Sequence, residues 1–269
     1  SLSYSPFEGY DKNLLSSEQI AYDVNLFENF TNKLRTYGTL EAYKILQSSK
    51  DSNLPIDLGL WIGGDLEANN LEIQRALEIL KEYPNRIQSV IVGNEVLLRK
   101  ELEPLELYAY IDFMKSHTKK PVTTAETWDI WEKNPQLASH VDFLTIHILP
   151  YWEKVPIERY NEFIIEKYSV VEELFPNRKI VIGETGWPSH GYNNNSAIPS
   201  IKNQAQAIRG FVNLAHEKGW HYNIIEALDQ PWKGYDEGNV GQYWGIFTTD
   251  RALKFQLAGE VELNKYWLY

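Results

Sequence analysis

The 269-residue chain has no cysteine. Disulfide staples and thiolate metal sites are thereby excluded, and cysteine usage says nothing of the redox compartment. It also lacks any apolar run of about 18 residues, so nothing in it reads as a membrane-spanning helix. Positive charge is scarce: 26 Lys and Arg stand against 37 Asp and Glu, a net charge of −11. That balance argues against nucleic acid and anionic membrane surfaces as partners and favours an uncharged ligand. No Pro/Gly/Ser linker or charge block divides the chain, so residues 1–269 are expected to form one domain. Its six histidines include no H-x-H or H-E-x-x-H pair, which removes a histidine-based metal site. A G-x-S-x-G elbow and the glycine-rich phosphate loops are absent as well, so neither a serine triad nor a nucleotide cofactor is implied.

What is present alternates. Strand-like runs occur at Leu2–Tyr4, Lys33–Tyr37, Ile56–Trp61, Gln88–Val92, Pro121–Thr124, Phe143–Ile148, Lys179–Glu184 and Tyr222–Leu228. Between them lie helical spacings at Ser17–Phe30, Thr39–Ser49, Glu67–Tyr83, Pro104–Ser116, Asp129–Leu137, Pro156–Phe175 and Ile201–Lys218, with a last one at Leu253–Leu263. In the third of these, Leu71, Ala76, Leu77 and Leu80 form the apolar stripe, with Asn69-Asn70 as the start signal and Tyr83-Pro84 as the stop. Strict strand–helix alternation over eight units predicts an α/β fold, a (β/α)8 barrel; an open doubly wound sheet is the alternative. Strand-like sequence begins directly after Ser1, which is compatible with a removed signal peptide or an upstream segment.

Two strands end in acids. Lys179 to Ile182 runs into Gly183-Glu184-Thr185-Gly186-Trp187-Pro188-Ser189, and Ser89 to Val92 runs into Gly93-Asn94-Glu95. Period-2 alternation puts Ile180, Ile182 and Glu184 on one face, and Ile91, Gly93 and Glu95 on one face. Both acids then meet at the carboxyl-end mouth of the barrel, where barrel enzymes carry their chemistry. A lone strand-end Glu usually pairs with Lys or Arg; two of them facing one another point to glycoside hydrolysis. In that reaction one protonated acid serves the leaving oxygen while one carboxylate attacks the anomeric carbon or directs water. Close acids imply retention and distant ones inversion. The loops Ser189–Ser200 and Gly234–Gly241 are expected to wall a cleft.

Val92-Gly93-Asn94-Glu95-Val96 and Gly183-Glu184-Thr185-Gly186-Trp187-Pro188-Ser189 together resemble the signature pair of glycoside hydrolase family 17. Tyr4-Ser5-Pro6-Phe7, Leu34-Arg35-Thr36-Tyr37, His147 to Glu153 and Ile225 to Lys233 extend the resemblance, the last two looking closest to the family's bacterial branch. The resemblance implies a retaining endo-β-1,3-glucanase of laminarinase type, with Glu95 as general acid/base, Glu184 as nucleophile and Asn94 holding the hydroxyl beside the reacting carbon. A β-1,3-glucanosyltransferase using the same acids is the alternative, and a catalytically silent glucan-binding barrel the third reading. The partner implied is β-1,3-glucan, and the setting secreted, periplasmic or cell-surface in a bacterium, with a membrane-attached context open.

Other residues at strand ends are candidates for the site. Arg35 and Tyr37 share a face, Arg35 placed to keep Glu184 ionised. His147 is expected inward with Phe143 and Thr145, either a satisfied core histidine or a partner of nucleophile or substrate. Glu226, taken to share a face with Ile224, either binds sugar or tunes Glu95, or simply pairs with Arg35 or Lys233. Tyr151, Trp152 and Trp232 are expected as sugar platforms, and Tyr4, Trp187 and Lys233 complete the candidate substrate contacts. Burial and nearby negative charge are expected to raise the pKa of Glu95.

Overall fold

In the computed structural model, which describes residues 1–259, eight parallel strands close into a barrel in sequence order. They are β1 (Leu2–Ser3), β2 (Leu34–Arg35), β3 (Ile56–Leu60), β4 (Ile87–Asn94), β5 (Val122–Thr127), β6 (Leu144–His147), β7 (Ile180–Thr185) and β8 (His221–Ile224). Closure runs through Leu2, which pairs with Leu34 on one side and Ile224 on the other. The outer layer is α1 (Ser17–Phe27), α2 (Thr39–Ser48), α3 (Leu66–Glu82), α4 (Pro104–His117), α5 (Trp128–Lys133), α6 (Tyr160–Leu174) and α7 (Ile201–Lys218). A hairpin pairing Phe7–Glu8 with Asn13–Leu14 follows β1. No helix among the described residues is long and apolar enough to cross a membrane.

Helix starts follow side-chain chemistry. Ser16 accepts the Gln19 N–H, Asp65 those of Glu67 and Ala68, and Ser200 that of Asn203; each satisfies donors that a first turn leaves unpaired. Gly219 ends α7 at φ +67°, a conformation glycine takes without steric cost. The start of α3 thus differs from the expected Asn69-Asn70 signal: Asn69 lies inside the helix, and its amide bonds the N–H and C=O of Gly63 at 2.9 and 2.7 Å. The expected helix at Asp129–Leu137 stops at Lys133, and a 3₁₀ turn takes over at Pro135–Ser139, because proline brings no N–H to the helical ladder. The helix expected from Leu253 does not form through Gly259; residues 260–263 lie outside the described residues.

Period 2 sorts the strands into two layers. Leu58, Leu60, Val90, Val92, Leu144, Ile146, Ile180 and Ile182 face outward and join one apolar core with Ile45, Ile79, Ile111, Ile164 and Phe211 of the helices. The inside is more polar: Arg35, Asp57, Ser89, Thr145, Val181 and Asn223 line a small space of about 70 Å³ within the barrel. That polar interior provides the anchoring for the mouth above it.

Candidate active site

Both acids reach the mouth, though not by alternation. On β7 the outward residues are Ile180 and Ile182, and Val181 and Gly183 are inward, so strict alternation would send Glu184 out among the helices. The register against β6 instead jumps from Ile146↔Ile182 to His147↔Glu184, one residue longer on β7. This bulge turns Glu184 inward. On β4 the register against β5 jumps from Ile91↔Thr123 to Asn94↔Ala125, again one residue longer on β4. Gly93 sits there at φ +83°, and a Cβ on it would face Val96 and Leu107, outward. Asn94 and Glu95 then both line the mouth, with Glu95 itself at φ +55°. The expected shared faces of Ile180, Ile182 and Glu184 and of Ile91, Gly93 and Glu95 are corrected accordingly. So is that of Ile224 and Glu226, since Ile224 packs into the outer core.

His147 and Arg35 tie the acids together beneath the cleft, and both are almost fully buried. His147 Nδ1 lies 2.7 Å from Glu95 Oε1, and Nε2 lies 3.2 Å from Arg35 Nη1. A guanidinium has only donors, so Nε2 accepts and Nδ1 carries the proton it donates to Glu95. Arg35 also donates to the Gly183 carbonyl and to Asn94 Oδ1, the latter at 2.6 Å, and stands 3.6 Å from Glu184 Oε1. Asn94 therefore keeps its amide N–H groups for a ligand. Burial pushes the Glu95 carboxyl up, but the hydrogen bond from His147 and the charges of Arg99 and Arg35 outweigh it and hold the group below the usual carboxylate range. The expected upward shift is not found in the unliganded site, because a donated hydrogen bond favours the charged form.

Glu95, His147 and Glu184 offer ligand atoms within 4.8 Å of one another, a spacing that in composition suits a metal ion. The inserted Arg35 guanidinium argues against it: it takes the Nε2 lone pair and places a positive charge where the cation would sit.

The cleft has two arms that share Glu95, Glu184, Ile225 and Glu237. The larger, about 600 Å³, is walled by Phe7, Tyr37, Trp61, Trp232 and Lys233. The smaller, about 170 Å³, is walled by Trp128, Trp152 and Trp244. Flat apolar rings with polar groups between them suit sugar rings, whose C–H faces stack while their hydroxyls bond around the rim. Trp232 carries Lys12 over its ring at 4.4 Å, and Trp61 carries Arg99 at 4.6 Å.

Of the sequence candidates, Asn94, Tyr37, Trp152, Trp232 and Lys233 line the cleft with the two acids. Arg35 lies below it and His147 is buried at its floor. Glu226 is buried and paired with Lys233 at 2.8 Å; burial raises its pKa to about 8. Burial works to lower the Lys233 pKa, but Glu226, Glu237 and Glu184 more than offset this and keep it charged. Three candidates are corrected. Tyr4 is buried with its hydroxyl donated to Asp23 at 2.8 Å, Tyr151 is buried with its hydroxyl on the Tyr192 carbonyl at 2.6 Å, and Trp187 is buried with its indole N–H on the Ile198 carbonyl at 3.0 Å. Each has its polar group satisfied inside the protein, so none is a platform.

Glu237 and Arg99 were missed as site residues. Glu237 sits in the Gly234–Gly241 loop, and burial, with Glu184 and Glu95 nearby, raises its pKa against the pull of Lys233. Only the expectation that this loop walls the cleft pointed toward it.

A family model described as the BtgE/BtgC glycoside hydrolase domain matches residues 1–245. A glucan 1,3-beta-glucosidase of Schizosaccharomyces pombe is 27% identical over 255 residues, 87% of this chain and 79% of the relative. A protein of Aspergillus fumigatus named "Probable glucan endo-1,3-beta-glucosidase btgC" is 25% identical over 272 residues, 89% of this chain but only 39% of its own length. Among solved structures, a glycoside hydrolase family 17 β-1,3-glucanosyltransferase from Rhizomucor miehei matches with a TM-score of 0.84 and 25% identity, covering 94% of each chain. An active-site mutant of that enzyme has been solved with laminaritriose. These relatives are fungal, which gives the expected bacterial source no support.

Proposed function

The chain belongs to the BtgE/BtgC glycoside hydrolase domain family, and from that membership we propose that it acts within β-1,3-glucan chains through a covalent glycosyl-enzyme intermediate. The observation that carries the mechanism is the spacing of the acids. Oxygens of Glu95 and Glu184 lie within 4.8 Å, in the range of about 5 Å that goes with direct attack and too close to seat a water between them. Glu184 is the nucleophile: its carboxylate faces the anomeric carbon, and Arg35 beneath it balances its charge without covering it. Glu95 gives its proton to the departing oxygen and then takes one from the acceptor. A neutral sugar chain laid over Glu95 excludes water, and this added burial favours the protonated form the first step needs. Asn94 offers its amide to a hydroxyl of the reacting sugar.

The aromatic walls on both sides of the acids support binding of a chain that continues past the cleaved bond in both directions. They equally favour a glucanosyltransferase, because a second sugar held in the vacated arm competes with water for the intermediate. Laminarin-type β-1,3-glucan is the substrate in either reading. Such polymers lie outside the plasma membrane, so a secreted or cell-surface setting follows from the substrate.

The test is an NMR and chromatographic time course with linear β-1,3-gluco-oligosaccharides of defined length. A β-anomer as first product is expected; an α-anomer refutes the mechanism. Products only shorter than the substrate mean hydrolysis, and longer ones mean transfer.

A further inference from the structure

Glu95 directly follows β4 and lies in the left-handed region at φ +55°, a conformation that costs a non-glycine residue on the order of 1–3 kcal/mol and needs support from around it. The chain beyond it coils at once: the Arg99 N–H meets the Glu95 carbonyl at 2.9 Å and the Glu101 N–H meets that of Val96 at 3.1 Å. The N–H groups that open such a coil have no partner within it. Those of Leu97 and Leu98 are taken by one carboxylate from the neighbouring strand: Glu126 Oε1 accepts from Leu97 at 2.8 Å and Oε2 from Leu98 at 3.3 Å. Glu126 is the next-to-last residue of β5 and is fully buried. Neither its burial nor its two-oxygen grip is needed by the barrel ladder, in which β4 and β5 are already paired.

We propose that Glu126 is a positioning residue for the reaction: its carboxylate clamps the coil after Glu95 and so fixes the acid/base over the reacting bond. The inference rests on the glucanase reading above. The titratable groups that face it are Glu95, just past β4, and His147, on β6; burial raises its own pKa to about 7, so it is uncharged over the range in which Glu95, held below the usual carboxylate range, titrates, and it acts on Glu95 through the clamp.

Two variants test the clamp. Glu126→Gln keeps the shape but turns an amide N–H toward the Leu98 N–H. Glu126→Asp keeps the carboxyl group but is one methylene too short to reach both donors. On one oligosaccharide, with wild type in the same assay and thermal unfolding run alongside, both variants are expected to fold and to lose at least about tenfold in kcat with KM little changed, since displaced reacting groups cost rate more than binding. Unchanged kcat in both variants, or a loss of kcat that simply tracks lost folded protein, overturns the assignment. A wild type that turns over no glucan overturns the glucanase reading and this inference with it, an outcome distinct from active wild type with indifferent variants.

Discussion

Replacing His147 by Phe tests the hydrogen bond on which the protonation of Glu95 depends. In the folded protein His147 Nδ1–H donates to Glu95 Oε1 at 2.7 Å and is fully buried. A hydrogen bond to a charged group contributes about 1.5–3 kcal/mol, and since 1.36 kcal/mol is a factor of ten in proton affinity, its loss strengthens proton binding by roughly ten- to a hundredfold. The sign is fixed by the chemistry: the donor favours the carboxylate, so removing it favours the acid. The basic limb of kcat/KM, which reports the free enzyme's general acid, should therefore move to higher pH in His147→Phe, while kcat falls because the Glu95 side chain loses its tether. Arg35 loses one acceptor but retains the Gly183 carbonyl and Asn94 Oδ1, so the protein should fold with a penalty of about 1–3 kcal/mol. The assay is the full pH profile of both proteins on one oligosaccharide, with urea unfolding to confirm the folded fraction. A limb that stays in place, or moves to lower pH, would refute both the assigned tautomer and the role of His147.

Two further outcomes bear on how the site is built. Tyr151→Phe removes only a buried hydrogen bond to the Tyr192 carbonyl and should cost about 0.5–1.5 kcal/mol in urea unfolding; a raised KM would show that Tyr151 meets the sugar after all. Glu41 is buried beneath the N–H groups of Tyr37 and Gly38, and burial raises its pKa from 4.5 to about 7. The unfolded chain gives up this proton first, so stability present below pH 4.5 is lost as pH rises to 7, by about 3 kcal/mol for the fully buried group. Glu41→Gln carries no proton to lose, so its unfolding free energy should fall less than the wild type's between those pH values; equal slopes would show that Glu41 ionises normally.

Periodicity alone gave the barrel, because eight apolar runs alternating with amphipathic segments leave few other ways to bury both faces of a parallel sheet. It placed Arg35 and His147 correctly too, since β2 and β6 keep strict alternation up to those residues. The aromatics were harder, for a ring after a strand end can turn toward the cleft or into the wall. Tyr151 packs edge-on against Trp187 and Trp244, contacts between distant segments that local spacing does not encode. The acids were found for a reason that proved incomplete. Gly93 and Gly183 read as ordinary positions in an alternating strand, yet they mark the points where each strand gains a residue. A Cβ on Gly183 would lie 2.4 Å from Thr145 Cγ2 and 3.1 Å from both Arg35 Nη1 and His147 Cδ2. The inward position there is thus already filled by the groups that hold the site. With no side chain admissible at 183, the bulge gives the next residue the same inward aim one step higher, clear of Arg35 and His147. Gly183 just before Glu184, and Gly93 two residues before Glu95, are therefore part of how the acids are aimed.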